Sequence, residues 1–329
     1  GGLYIVRVFP LHFSFNQNHG MDTLMTMQTH PGQMMTQPLL ISDLLEYAAR
    51  HHGDQQVISR RLEGDIHSYA YRDALARSKR LANALQFLGV QPGDRVATLA
   101  WNGYRHLECY YAISGSGAVC HTVNPRLYSE QIEYIINHAE DCYVFLDACF
   151  ARLLEPVAEQ LTSVRGFIFM VDEAQMPETS LPNPINYEAL LAAQPEEFSW
   201  PSFSAETAAC LCYTSGTTGN PKGVVYHHRG AYLNAANNIV SWDMGKHPVY
   251  LWVLPLFHCN GWCFPWTIAA AAGVSVSLRH VRADAIYDAI KSEKVSHFCG
   301  APIVLNMLNN APAEMKSGID HEVNAMVAG

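Results

Sequence analysis

The chain has 329 residues, of which 49% are hydrophobic and 16% charged, so it can bury a large core as one domain or two subdomains. A formal net charge of -9 argues against nucleic acid as the main partner, because duplex binding rests on Lys and Arg neutralising phosphates. Nine cysteines, an odd number with no CxxC pair, read as reduced and buried thiols of a cytoplasmic protein, and no apolar run is long enough to cross a membrane.

Residues 1–38 read as a leader. "GGLYIVRVFPLHFSF" is too short and too interrupted by Arg7, Pro10 and His12 for a membrane span, and the Met- and Gln-rich stretch after it has no period. The folded body is expected to begin near Leu39. In "SDLLEYAARHHG" a Ser42 cap and a Gly53 stop bracket a helix. "QVIS" and "IHSYA" flank a turn at Gly64 and Asp65, which predicts a hairpin. "YRDALARSKRLANALQFLG" sets Leu75, Leu81, Leu85 and Leu88 on one stripe and stops at Gly89. Next come "RVATLA", a helix from about Tyr104, "AVCHTV", a helix from about Ser129, and "CYVFLD". Continuous apolar strands separated by helices predict a parallel sheet covered on both faces.

The rhythm returns with "VYLWVL", a helix from about Asn260, "VSVSL", a helix near "ADAIYDAIKSEK", and "SHFCG". The predicted fold class is α/β, with two stacked βαβ-rich subdomains of mostly parallel sheet covered by helices. The first covers residues 39–200; the second, residues 201–329, is incomplete at its C-terminus. Pro-rich "MPETSLPNPINY" and "PEEFSWPSFS" carry the crossing between them.

Residues 213–228, "YTSGTTGNPKGVVYHH", concentrate hydroxyls, glycines and one lysine between two strand-like flanks. A Walker A loop would open a helix and follow its lysine with Ser or Thr, whereas here Lys222 follows Pro221 and precedes Gly223. Glycines let successive N–H groups turn inward as an anion nest, the hydroxyls donate further hydrogen bonds, and Lys222 supplies charge. The loop is therefore a candidate phosphate site. "GSG" at residues 115–117 lacks a third glycine and sits at a helix end, which is no dinucleotide fingerprint. The adjacent His227 and His228, with His258 and Cys259, cannot ordinarily converge on one zinc, so no metal site is expected.

"YTSGTTGNPKGV" resembles the phosphate-loop signature of the adenylate-forming (AMP-binding) superfamily, and "NPRL" (124–127), "PLFHCNGW" (255–262) and "GAP" (300–302) follow in the expected order. The resemblance is to medium- and long-chain fatty acyl-CoA synthetases, from about Leu39 to Gly329. It implies a ligase that converts a carboxylic acid, expected to be a fatty acid, and Mg-ATP to an acyl-adenylate and pyrophosphate. CoA then displaces AMP. By matching position, Thr214, Ser215, Gly216, Thr217, Thr218, Gly219 and Lys222 would hold the β- and γ-phosphates. His258, with Lys222, would serve the reacting centre; Trp262 would gate an acyl tunnel; and Gly300, Ala301 and Pro302 would line the substrate site. Arg126 in "NPRL" is expected to fix a turn beside a structural carboxylate. The superfamily's adenine-stacking, ribose-binding and C-terminal lysine motifs are not found. The chain by itself is therefore expected to be inactive and capable of forming a homo-oligomer. Two other readings stand: a ligase for an aryl, amino or short branched acid, and a non-catalytic α/β binding module.

Overall fold

The computed structural model describes residue 32, residues 34–214 and residues 220–327. Residues 1–31, most of the expected leader, lie outside them. Strand β1 (Gln56–Arg60) pairs antiparallel with β2 (Ile66–Ala70), as the turn residues predict. Strands β3 (Arg95–Leu99), β4 (Val119–Thr122), β5 (Asp141–Leu146), β6 (Phe167–Phe169) and β7 (Pro184–Asn186) pair in parallel. Every residue of β4 and β5 is buried, which is why these strands read as unbroken apolar runs. Strand β8 (Ala208–Thr214) adds in parallel to β4, and β9 (Lys222–His227) turns back antiparallel on β8. The order of this seven-stranded sheet is β7-β6-β5-β3-β4-β8-β9.

Strands β10 (Val249–Trp252), β11 (Val274–Ser277), β12 (His297–Gly300) and β13 (Asn324–Val327) form the second sheet, in the order β13-β12-β10-β11-β1-β2. A boundary at residue 200 cuts across both sheets. The early hairpin belongs to the second sheet, where Val57 lies opposite Ser275, while β8 and β9 extend the first, where Cys120 lies opposite Cys210. The mixed, mostly parallel α/β class stands; each sheet takes a hairpin from the other half of the sequence.

The helix Tyr104–Gly115 lies between the sheets, and all twelve of its residues are buried. Its polar side chains are satisfied by bonds in several directions. Tyr110 Oη donates to Leu256 O (2.5 Å), Tyr111 Oη to Pro265 O (2.8 Å), and Ser114 Oγ to Ala209 O (2.7 Å). Arg105 donates to Glu188, Glu63 and Asp172, and Glu108 accepts from Tyr69, Tyr187 and Arg77. Removing one partner of such a buried ionic pair typically costs about 3 to 5 kcal/mol, because the other charge is left uncompensated. His106 Nδ1 faces Trp101 O at 3.0 Å, and a carbonyl can only accept, so Nδ1 carries the proton and Nε2 accepts from Thr98 Oγ1. Burial pushes this histidine down to about 4, so it is neutral. Gly115, the last residue of the helix, has no room for a side chain, because the Trp200 ring lies 2.7 Å from where a Cβ would stand. That close approach accounts for the first glycine of "GSG".

Two expectations are corrected here. Ser42 does not cap its helix: it lies inside Ser42–His52, buried, with no hydrogen-bond partner for its Oγ. The early N–H groups bond instead to Leu40 O and Ile41 O. No right-handed helix starts near Asn260 either. Cys259, Asn260, Gly261, Trp262 and Cys263 all have positive φ, from 42° to 65°, and the α-helix begins at Phe264 with Pro265 in its first turn.

Candidate active site

Antiparallel pairing of β8 with β9 sets Thr214 directly opposite Lys222 at the loop end of the hairpin. Strand joins strand across the Gly-rich segment, which distinguishes it from a loop that opens a helix. Both end residues are exposed, and Lys222 makes no ion pair among the described residues. Ser215, Gly216, Thr217, Thr218 and Gly219 lie outside the described residues.

The segment after β10 reaches across to the carboxyl ends of the first sheet. Asn102, just beyond β3, donates through Nδ2 to Trp252 O and Leu254 O (both 3.0 Å) and accepts from Leu256 N–H at 2.7 Å. Thr122, the last residue of β4, donates to Phe257 O at 3.0 Å. Asn260 is fully buried and donates to Thr122 Oγ1 (3.1 Å) and to Leu211 O on β8 (3.3 Å). These anchors hold the left-handed turn at residues 259–263. Left-handed backbone costs an L-residue roughly 1 to 2 kcal/mol, and strain of this kind gathers where a side chain must be aimed.

His258 stands at the head of that turn, exposed, with Cys259 Sγ 3.9 Å from its Nε2. What burial its ring has, and then the charge of Arg126, hold its pKa below the usual histidine value, so it is neutral at pH 7. Arg126 itself finds no carboxylate among the described residues; its guanidinium lies 5.8 Å from the Trp101 ring, which correction replaces the expected ion pair with a cation–π contact. Trp262 is half-buried against the main core, and its carbonyl accepts from Asn238 Nδ2 at 3.3 Å. Gly300 ends β12 beside Val253, and Ala301 and Pro302 open the next helix, both exposed. The segment that carries His258 thus leaves the carboxyl end of β10 and is tied to the carboxyl ends of β3 and β4 and to β8, and ligands of open α/β sheets bind at such ends.

The model of AMP-binding enzymes matches residues 45–329. The chain belongs to the AMP-binding enzyme family. It is 42% identical over 276 residues to a 3-methylmercaptopropionyl-CoA ligase of Ruegeria lacuscaerulensis, covering 83% of this chain and 51% of the relative. It is 39% identical over 302 residues to a medium-chain-fatty-acid–CoA ligase of Ectopseudomonas oleovorans, covering 91% and 55%. This AMP-binding chain therefore spans about half the length of the curated relatives it matches. Its fold is that of the N-terminal domain of FACL13 from Mycobacterium tuberculosis, with a TM-score of 0.76 at 22% identity over 88% of this chain and 70% of that one. A fatty acyl CoA synthetase of the same organism gives 0.73 at 21% identity, covering 88% and 55%.

Sequence reasoning did not single out Asn102, Thr122, Asn260 or Tyr110, which hold the AMP-binding chain's two sheets in register around His258. Asn260 had a signal, since it lies inside "PLFHCNGW". Asn102 follows "RVATLA" at a strand's carboxyl end, a place where side chains meet ligands or loops. Among the described residues no group of three or more His, Cys, Asp and Glu is placed to hold a metal ion, and no helix is long and apolar enough to cross a membrane. All nine cysteines are free thiols.

Proposed function

We propose that this chain is the acid-activating part of an ATP-dependent fatty acyl-CoA ligase. The observation that carries the reading is the register of Thr214 against Lys222 at the loop end of β8 and β9, the strand pair to which the turn after His258 is anchored through Leu211. A hydroxyl and an ammonium group thereby flank the mouth of a Gly-rich loop. In the reaction a carboxylate oxygen of the acid bonds to the α-phosphorus of ATP, the bond to the bridging oxygen breaks, and pyrophosphate leaves. The thiolate of CoA then bonds to the acyl carbon and AMP departs. Thr214 and Lys222, with Ser215, Gly216, Thr217, Thr218 and Gly219, would bind the β- and γ-phosphates and neutralise the charge that builds on the leaving pyrophosphate. Mg2+ would arrive on those phosphates and supply further charge. His258, neutral at pH 7, can share a hydrogen bond with the reacting carboxylate or the α-phosphate without a strong fixed charge of its own.

Trp262 and the strand end at Gly300, Ala301 and Pro302 would border the acyl path. The fatty acid is favoured by the medium-chain relative, while the 3-methylmercaptopropionyl relative supports a short acid as the competing reading. The chain covers 51% and 55% of these relatives, so the whole reaction is proposed for a protein of their length.

The test uses the full-length enzyme and Lys222→Ala. One well-aimed electrostatic donor is commonly worth about 3 to 4 kcal/mol in a transition state, so pyrophosphate exchange should fall by a factor on the order of 10²–10³. Thioester formation from preformed acyl-adenylate should fall much less. Equal losses in the two half-reactions would refute the assignment of Lys222. A panel of acids from two carbons to sixteen carbons decides between the fatty and short-acid readings.

A further inference from the structure

Strand β9 has a partner strand on one side only. It is an edge strand, five of its six residues are exposed, and its first pair with β8 is the one that carries Lys222. The second pair sets Gly223 opposite Tyr213. Glycine weakens a strand, since it adds backbone freedom and no side-chain contact. Here the missing side chain is filled from the neighbouring strand. A Cβ on residue 223 would stand 3.0 Å from Leu211 Cδ1, 3.4 Å from Tyr213 Cζ and 3.6 Å from Tyr213 Oη, so the phenol ring lies across the bare backbone of β9. An aromatic ring covering an edge-strand glycine is a known way of pinning a strand pair.

The ring is itself held on two sides. Its Oη lies 2.6 Å from Nδ1 of His138, in the last turn of the helix Ser129–Ala139, and that imidazole stacks on Tyr134. Beneath it, at 5.2 Å between centroids, is the ring of His121, fully buried on β4. His121 cannot swing, because its Nδ1 is 2.6 Å from Oδ2 of Asp141 at the start of β5, and both side chains are wholly buried. A fixed point in the sheet interior is in this way carried outward, through Tyr213, to the strand pair at the mouth of the Gly-rich loop.

We propose that Tyr213 is a positioning residue for phosphate binding: tied to His138 and seated on Gly223, it holds the backbone of Thr214 and Lys222 in the geometry that ATP requires. It touches no reacting atom. The inference rests on the reading of residues 214–222 as the phosphate-binding loop. It adds what sets the aim of Lys222, whose own side chain is exposed and flexible, in a site where a misplacement of about 1 Å can cost on the order of a hundredfold.

The experiment measures pyrophosphate exchange in the full-length enzyme, with separate KM values for ATP and for the carboxylic acid. Tyr213→Phe keeps the ring and loses only the tie to His138. It should raise the ATP KM by about fivefold, the factor one ordinary hydrogen bond carries, and leave the acid KM unchanged. His138→Leu should do the same, and the double variant should be no worse than the poorer single. His138→Asn, whose amide can occupy the place of Nδ1, should restore the ATP KM. Gly223→Ala, which presses Leu211 and Tyr213 aside, should also raise it. A merely structural role would move both KM values together, and that result would overturn the proposal, as would additive effects of the two single variants. Lys222→Ala separates the two levels of the argument. If it leaves exchange intact, the phosphate-loop reading itself fails. If it cripples exchange while Tyr213→Phe and His138→Leu leave the ATP KM at the wild-type value, only the positioning role fails.

Discussion

Asn102 offers the sharpest test of how the two sheets are locked around His258. Its amide makes three hydrogen bonds of 2.7 to 3.0 Å to the segment after β10, two donated to the carbonyls of Trp252 and Leu254 and one accepted from the N–H of buried Leu256. At about 1 kcal/mol net for each bond, Asn102→Ala should destabilise the protein by about 3 kcal/mol. Asn102→Asp is more diagnostic, since it keeps the acceptor for Leu256 and puts an oxygen where two carbonyls require a donor. At pH 7.5 it should be at least as harmful as alanine. The introduced carboxyl would have a folded-state pKa above its unfolded value, so stability is present at low pH and lost as pH rises through the folded value. The deficit of Asn102→Asp against wild type should therefore shrink between pH 7.5 and pH 4.5, where a protonated carboxyl can donate to one carbonyl. Urea titration followed by tryptophan fluorescence reads both variants, because Trp101 and Trp252 flank the joint. An alanine variant within about 0.5 kcal/mol of wild type would refute the reasoning, as would an aspartate deficit that grows on acidification.

Trp262→Ala in the full-length enzyme should shift the preferred acid length while leaving the ATP KM unchanged, since each buried methylene contributes only about 0.8 kcal/mol to discrimination. An unaltered profile from short to long acids would remove Trp262 from the acyl path. Asp147 is pushed up to about 7 by burial, against the pull of the Trp101 N–H and Arg279. Its unfolded form titrates at about 3.9, so stability should fall as pH rises from about 4 to about 7, and Asp147→Asn should flatten that slope. Urea midpoints at pH 5 and pH 8 that differ equally in both proteins would contradict this.

Most elements were legible because period and punctuation are local. The hairpin turning at Gly64 and Asp65, the apolar runs of β3, β4 and β5, and a Gly-rich loop between two strands all follow from residues within a dozen positions of one another. Partnership is not local. Nothing in "QVIS" says that Val57 will lie opposite Ser275, and nothing in "TAACLCYT" says that Cys210 will lie opposite Cys120. The polar residues of "YRHLECYYAISG" would suit an exposed face, yet the helix is buried throughout because Glu63, Asp172, Glu188, Tyr69 and Tyr187 arrive from distant parts of the chain. The backbone at residues 259–263 is the clearest case. Its residues are weak helix formers, and Asn260 and Gly261 tolerate left-handed backbone, but nothing local dictates five such residues in a row. Three hydrogen bonds from Thr122 and Asn260 hold it left-handed, because only the packed ends of two sheets bring those anchors within reach.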